Sequence, residues 1–288
     1  MEEMQPFKNR WREALVASLI VANLFVWLAV SLREERKELR VYFIDVGQGD
    51  AILIESPTRG RVLIDGGRNR QVVSELGRIL PFGDKRIDVV IATHPDADHI
   101  GGLPEVVRRY KVGIFVEPGV RAESSLDEEL DARLREKNIS QVLASRGQVI
   151  NFGDGATLTI LFPDRDVSEW DTNDASIVAR LDYGESPFLF TGDAGIQTEN
   201  ILMSIGREVL DTDILKAGHH GSRTSTSLTF AEVVTPEYTI ISAGKGNSYG
   251  HPHKEVLSIL ERVGSQIKNT ALSGTIIFET DGEILRLK

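Results

Sequence analysis

Residues 91–103, IATHPDADHIGGL, place His94, Asp96, Asp98 and His99 within six positions, directly after an apolar run at 87–91 that reads as a buried strand. Imidazoles and carboxylates at this density point to metal binding, because they repel or stay poorly solvated unless a cation sits among them. The plainer alternative, a solvated acidic loop, does not explain the remaining histidines. All six of the chain fall in three places: this motif, His219 and His220 in AGHHGS, and His251 and His253 in YGHPH. In FLFTGDAG, an apolar strand at 188–190 delivers Asp193 into a glycine-flanked turn. The chain has no cysteine, which excludes thiolate zinc sites and disulfides.

Further residues fit supporting roles. Lys216, His219, His220, Ser222 and Arg223, with the Thr/Ser run 224–227, form a donor-rich turn suited to an anionic oxygen and to charge developing in a transition state. One of the adjacent histidines is also a candidate metal ligand. Asp65, at the end of VLI in LIDGG, either hydrogen-bonds a metal-binding residue or caps a backbone N–H of its own turn. Asn173, Asp174 and Ser176 in TNDAS either face the metal or make an ordinary Asx turn. Asp45, Gln48 and Asp50 in the DVGQGD turn are open between site and turn, and His253 reads as a helix-start or surface residue.

The elements that must position these residues are short strands ending in glycine-rich turns. VYFIDVGQGDAILIES reads as strand, turn and strand, and a third strand runs over 62–64. Helices are expected at 71–80, 103–110, 126–138, 200–210, 230–234 and 254–263, and strands at 113–117, 176–181, 187–191, 213–216 and 238–242. The stretch 141–162 alternates like strands, and 275–288 reads as a terminal hairpin. Pro95 stops the strand before the metal motif, and Gly101 and Gly102 allow close backbone turns behind it. Strands followed by helices, twice over, predict an α/β (α+β) domain at 41–288 with two mixed sheets and outer helices.

The 288 residues suit one large domain plus an appendage, and 41% apolar content suffices for its core. A net charge of −10 argues against a surface coated for holding nucleic acid phosphates, without excluding a basic strip beside the site. Behind an N-terminal tail at 1–13, residues 14–32 are uncharged and mainly apolar, about long enough as a helix to cross a bilayer core of roughly 30 Å. They are expected to be a single-pass transmembrane anchor, with a signal sequence or a buried helix as alternatives. A charged linker at 33–40 follows. Basic residues flank the span on both sides; a short leading tail usually stays inside, which places the domain at 41–288 outside the cytoplasm.

As an ordered set, YFIDVGQGDAILI, LIDGG, THPDADHIGGL, FLFTGDAG, DILKAGHHGS, YGHP and SGTI resemble the metallo-β-lactamase superfamily, and more closely the hydrolase domain of ComEC-type competence proteins. The resemblance covers the chain from about residue 41 onward. It implies an αββα sandwich with a metal centre at the open edge of its two sheets, and hydrolysis. It also implies a ligand set: His94, Asp96 and Asp193 for a first ion, and Asp98, His99, Asp193 and His251 for a second. Asp98 would orient or deprotonate the attacking water, while His219 and His220 contact the substrate or transition state. Asp96 stands where the superfamily's second histidine is usual. More carboxylates and fewer imidazoles shift preference toward Mn²⁺ over Zn²⁺, in a one- or two-ion centre. The implied substrate is a phosphodiester, DNA first. Alternatives are a smaller phosphoester, such as phosphorylcholine on a cell-surface polymer, or a weakly active membrane-tethered partner of a separate DNA-channel protein.

Overall fold

The computed structural model describes residues 7–31 and 38–288, with side chains at 10–27 and 38–288. The chain divides into two units, Met1–Arg36 and Lys37–Lys288. In the first, Phe7–Ser31 forms a helix whose described side chains are all exposed. Among the described residues no helix is long and apolar enough to cross a membrane. The transmembrane reading of 14–32 is therefore not supported among the described residues, whose side chains extend only to residue 27 of that span. Ahead of it stand Arg10, Arg12 and Glu13. Side chains at 28–31 and all of residues 32–37, which include the last residue of the expected anchor and 33–37 of the expected linker, lie outside the described residues.

The second unit begins with β1 (Leu39–Phe43), which opens inside the segment read as linker, because Leu39 and Val41 are wholly buried and pull the chain into the core. There follow β2 (Ile52–Glu55), β3 (Arg61–Ile64), β4 (Arg86–Ile91), β5 (Lys111–Glu117) and β6 (Ser140–Leu143). Next come β7 (Val149–Asn151), β8 (Thr157–Phe162), β9 (Val178–Asp182), β10 (Phe188–Phe190), β11 (Ile214–Lys216), β12 (Tyr238–Ile241) and β13 (Gln266–Asn269). β14 (Ile276–Thr280) and β15 (Leu285–Leu287) are the terminal hairpin. They return to the first sheet, whose order is β15-β14-β1-β2-β3-β4-β5-β6; the second sheet runs β13-β12-β11-β10-β9-β8-β7.

Inward-facing side chains of the two sheets interlock. Phe43 of the first meets Phe190 of the second with ring centroids 6.1 Å apart, and Phe278 closes on Phe188 at 6.0 Å. Alternation explains the arrangement: Val41 and Phe43 face the other sheet, while Tyr42 and Ile44 face the helices behind. Helices Gln71–Ile79, Leu103–Arg109 and Ser125–Glu136 cover the first sheet. Leu228–Val234 and Lys254–Arg262 bury their apolar faces against the second. The layers are therefore α, β, β, α, as expected. The helix expected at 200–210 is two, Ile196–Met203 and Arg207–Leu210, because Gly206 at φ 116° breaks the run between them.

β3 to β6 run parallel, as do β10 to β13, so their C-terminal ends open toward one edge of the sandwich. Every loop that carries a candidate site residue leaves from this edge.

Candidate metal centre

Asp65 follows β3 and takes φ 60°, a conformation Asp tolerates, so that its carboxylate turns inward. It accepts from Thr93 N at 2.8 Å and from Thr93 Oγ1 at 2.7 Å, and His99 Nδ1 donates to it at 2.7 Å. Of the two roles open for Asp65, the structure shows it fixing His99, whose Nε2 then points into the site. Thr93 Oγ1 spends its proton on Asp65, so toward His94 Nδ1, 3.1 Å away, it accepts. Ser176 Oγ lies 3.2 Å from the same nitrogen and accepts from Asp193 N at 3.1 Å. His94 therefore carries its proton on Nδ1 and turns a bare Nε2 inward.

The loop ends converge on Asp193. His99 Nε2 is 3.3 Å from Asp193 Oδ1; His220 Nε2 is 3.4 Å, His219 Nε2 3.7 Å and His94 Nε2 4.0 Å from Oδ2. Asp98 Oδ2 lies 3.4 Å from His220 Nε2, and Asp96 Oδ2 3.8 Å from His94 Nε2. His99 Nε2 and His220 Nε2 face each other at 3.3 Å. His94 Nε2 and Asp193 Oδ1 are buried with no hydrogen-bond partner. Unpaired buried acceptors of this kind are costly, and a divalent cation among them satisfies both at once. One buried group, Asp50, His99, Asp193 and His220, has ligand atoms all within 4.8 Å of one another. The residues fit a metal.

Two histidines sit in a strained turn. His219 (φ 46°, ψ 46°) and His220 (φ 56°, ψ 23°) are both left-handed, at roughly 1–3 kcal/mol each. His219 N donates to Gly192 O at 3.2 Å and Gly218 N to Thr226 Oγ1 at 3.2 Å, which hold the turn in place. The strain aims adjacent side chains at the same carboxylate from different sides.

The remaining expected residues lie as follows. His251, expected in the second ligand set, is one ring further out, its centroid 5.5 Å from His219 and 6.3 Å from His220. His220, expected to contact substrate, takes the inner position beside Asp98, His99 and Asp193. Asn173 Oδ1 is buried without a partner, and Asn173 O accepts from Ser176 N, so the TNDAS segment is a turn that delivers Ser176 to His94. Ser222 Oγ pairs with Thr224 Oγ1 at 3.0 Å, while Arg223 Nη2 lies 3.2 Å from His253 Nε2 at the rim.

Asp50, left open by the sequence, enters the centre. Its Oδ1 is 3.4 Å from His220 Nδ1 and its Oδ2 2.5 Å from Lys216 Nζ. A signal for it was available: Asp50, Asp65 and Asp193 are each an acid beside glycine next to an apolar strand. Gln48, also left open, donates Nε2 to Asp98 Oδ2 at 3.5 Å and accepts from Gly244 N at 3.1 Å.

The charges are unevenly placed. Burial, helped by His99, pushes His94 down to about 3, so it stays neutral. Burial also disfavours the imidazolium of His220, but Asp193 and Asp50 outweigh it and push the ring up to about 9. Against its own burial, Asp193 is held well below the ordinary carboxylate range by His220 and His99. Asp98 is likewise lowered despite burial, by the His220 hydrogen bond and His99.

This fold and its cluster of buried imidazoles and carboxylates define a metal-dependent hydrolase. The metallo-β-lactamase superfamily matches residues 44–245, and the chain belongs to that superfamily. Among curated relatives, ComE operon protein 3 of Bacillus subtilis is 34% identical over 278 residues, 91% of this chain and 35% of its own length. Recombination protein 2 of Haemophilus influenzae is 32% identical over 81% of this chain and 28% of its own. The chain thus spans about a third of the length of these relatives, which are ComEC-type competence proteins. Solved structures share the fold: Igni18, a metallo hydrolase from Ignicoccus hospitalis, has TM-score 0.52 and 16% identity over 84% of this chain and 99% of its own. The diiron β-hydroxylase CmlA from Streptomyces venezuelae has TM-score 0.53 and 14% identity over 80% and 52%.

Proposed function

We propose that the chain hydrolyses phosphodiesters, DNA first, at a centre of one or two divalent ions, Mn²⁺ or Zn²⁺. The observation that carries this is the convergence of His99, His220 and Asp98 on Asp193, beside the half-buried ring of His219 and the exposed Arg223. In this reading His94, Asp96 and Asp193 hold one ion, and Asp98, His99, Asp193 and His220 the second. Bound ions supply Lewis-acid polarisation and water activation. The protein's own groups do the rest. Asp98, kept ionised, orients the attacking water and accepts its proton. His219, which burial keeps below its ordinary pKa, offers its ring to the phosphoryl oxygens from the open side of the site. Asp65 and Asp50 hold His99 and His220 in line.

The competence names of the relatives support DNA as substrate and a DNA-channel protein as partner; copurification with such a channel tests the latter. The net charge of −10 favours the second reading, a small or cell-surface phosphoester. We also propose attachment to a membrane surface, with the hydrolase unit extracytoplasmic. The attachment is supported by exposed Trp11, Leu19, Phe25 and Trp27 on the N-terminal helix, and failure to float with lipid vesicles rejects it.

The test uses the full chain, stripped with chelator and reloaded with Mn²⁺ or Zn²⁺, on single-stranded DNA, duplex DNA and bis-p-nitrophenyl phosphate. Metal-dependent DNA cleavage supports the reading. Asp193→Ala is expected to lose at least about a thousandfold, the equivalent of roughly 4 kcal/mol. Turnover of the small ester alone moves the substrate to the second reading. No turnover with either metal removes the hydrolytic assignment in favour of a tethered, inactive partner.

A further inference from the structure

The segment 244–253 carries an aromatic side chain that the core does not use. Tyr249 is 53% exposed, yet it is not loose: its ring stacks on His251 with centroids 5.7 Å apart and planes at 23°. His251 in turn meets His219 edge-on at 5.5 Å, and His219 Nε2 is 3.7 Å from Asp193 Oδ2. A continuous ladder of rings therefore leads from the metal centre to solvent and ends on an open aromatic face.

The loop that presents this face is ordered in advance. Asn247 Nδ2 donates to Gly244 O at 2.9 Å and to His251 O at 2.7 Å, while its Oδ1 accepts from Tyr249 N at 3.2 Å and His251 N at 3.0 Å. One side chain thus staples both ends of the turn. The base of the loop is tied to the centre, because Gln48 bridges Gly244 N to Asp98 Oδ2. A large exposed ring held this firmly, one ring beyond the groups that face substrate, suits a planar ligand whose binding would otherwise require the loop to be ordered.

We infer that Tyr249, backed by His251, is a stacking platform for the nucleobase next to the scissile phosphodiester, so that the site accepts an unpaired nucleotide. This rests on the phosphodiesterase reading and deepens it. A base within a duplex has both faces covered by its neighbours, whereas an unpaired base can lay one face on Tyr249. Base-on-aromatic stacking of this kind is sequence-tolerant and contributes roughly 10- to 100-fold in binding.

The experiment compares the p-nitrophenyl phosphodiesters of thymidine, 5′ and 3′, with abasic counterparts in which the sugar lacks the base. All share one leaving group, so its own contacts cancel. For the metal-loaded full chain, kcat/KM should favour at least one thymidine ester over its abasic partner by roughly 10- to 100-fold. Tyr249→Ala, with metal content equal to wild type, should remove that preference through KM, and Tyr249→Phe should retain it. Equal rates on thymidine and abasic esters in the wild type overturn the platform while leaving hydrolysis intact. A preference that survives Tyr249→Ala also overturns it. Absence of metal-dependent turnover on every ester overturns the hydrolytic reading, and the platform with it.

Discussion

Lys216 Nζ lies 2.5 Å from Asp50 Oδ2, with both side chains closed off from solvent. Lys216 ends β11 of the second sheet, and Asp50 comes from the loop between β1 and β2 of the first, so the pair ties the two layers together at the open edge. It also supports the centre. With Oδ2 occupied by the ammonium, Asp50 leaves Oδ1 3.4 Å from His220 Nδ1, a longer approach than the 2.7 Å hydrogen bond between Asp65 Oδ2 and His99 Nδ1. Two imidazoles are thereby aimed at Asp193 by two carboxylates.

Lys216→Met leaves the Asp50 charge buried without its cation, a change that typically costs about 3–5 kcal/mol. Metal affinity should fall roughly 10- to 100-fold, because His220 loses the group that aligns it. The double variant Lys216→Met, Asp50→Leu should regain stability but not affinity. Urea denaturation and metal titration read the two quantities separately, and wild-type affinity in Lys216→Met would remove Lys216 from the site.

Gly49 takes φ 105°, and a Cβ there would stand 1.8 Å from the carbonyl oxygen of Asp98. Asp50 N donates to that same oxygen at 3.2 Å, so the loop and the metal motif are packed backbone to backbone. Gly49→Ala should displace Asp98 and lower both metal stoichiometry and denaturation midpoint. Gly147, also at positive φ but with nothing within 4 Å of its Cβ position, provides the control. Gly147→Ala should cost only backbone strain, about 1 kcal/mol, and keep full metal content.

The proton on His220 and a metal ion compete for one place. His220 is raised from 6.5 to about 9 in the metal-free fold. Its contribution to stability is complete below pH 6.5 and is lost as pH rises through about 9. Asp193 is depressed, so its share is present at neutral pH and disappears only as acid reaches its lowered folded value. Melting of the chelated protein should therefore fall toward pH 9 and again in acid. Because the metal displaces the His220 proton, the rise in Tm on adding Mn²⁺ should grow across the same alkaline window. A rise that shrinks with pH would contradict the ligand role of His220.

What the sequence determined by itself is local. An apolar strand, Pro95 and a six-residue run of His94, Asp96, Asp98 and His99 specify a loop that aims ligands at one point, and VYFIDVGQGDAILIES specifies a strand, a turn and a strand. Those patterns depend on neighbours in sequence, so they are legible there. Only the tertiary structure decided between His220 and His251 for the inner position, since both follow a strand of the second sheet and differ only in where the returning loop carries them. It also recruited Asp50, whose turn reads alike whether its carboxylate caps a backbone N–H or crosses to Lys216 on the other sheet. The physical reason is the parallel stacking of strand ends: residues distant in sequence meet because β3, β4, β10 and β11 all open on one edge, and no local period encodes which loops will touch there.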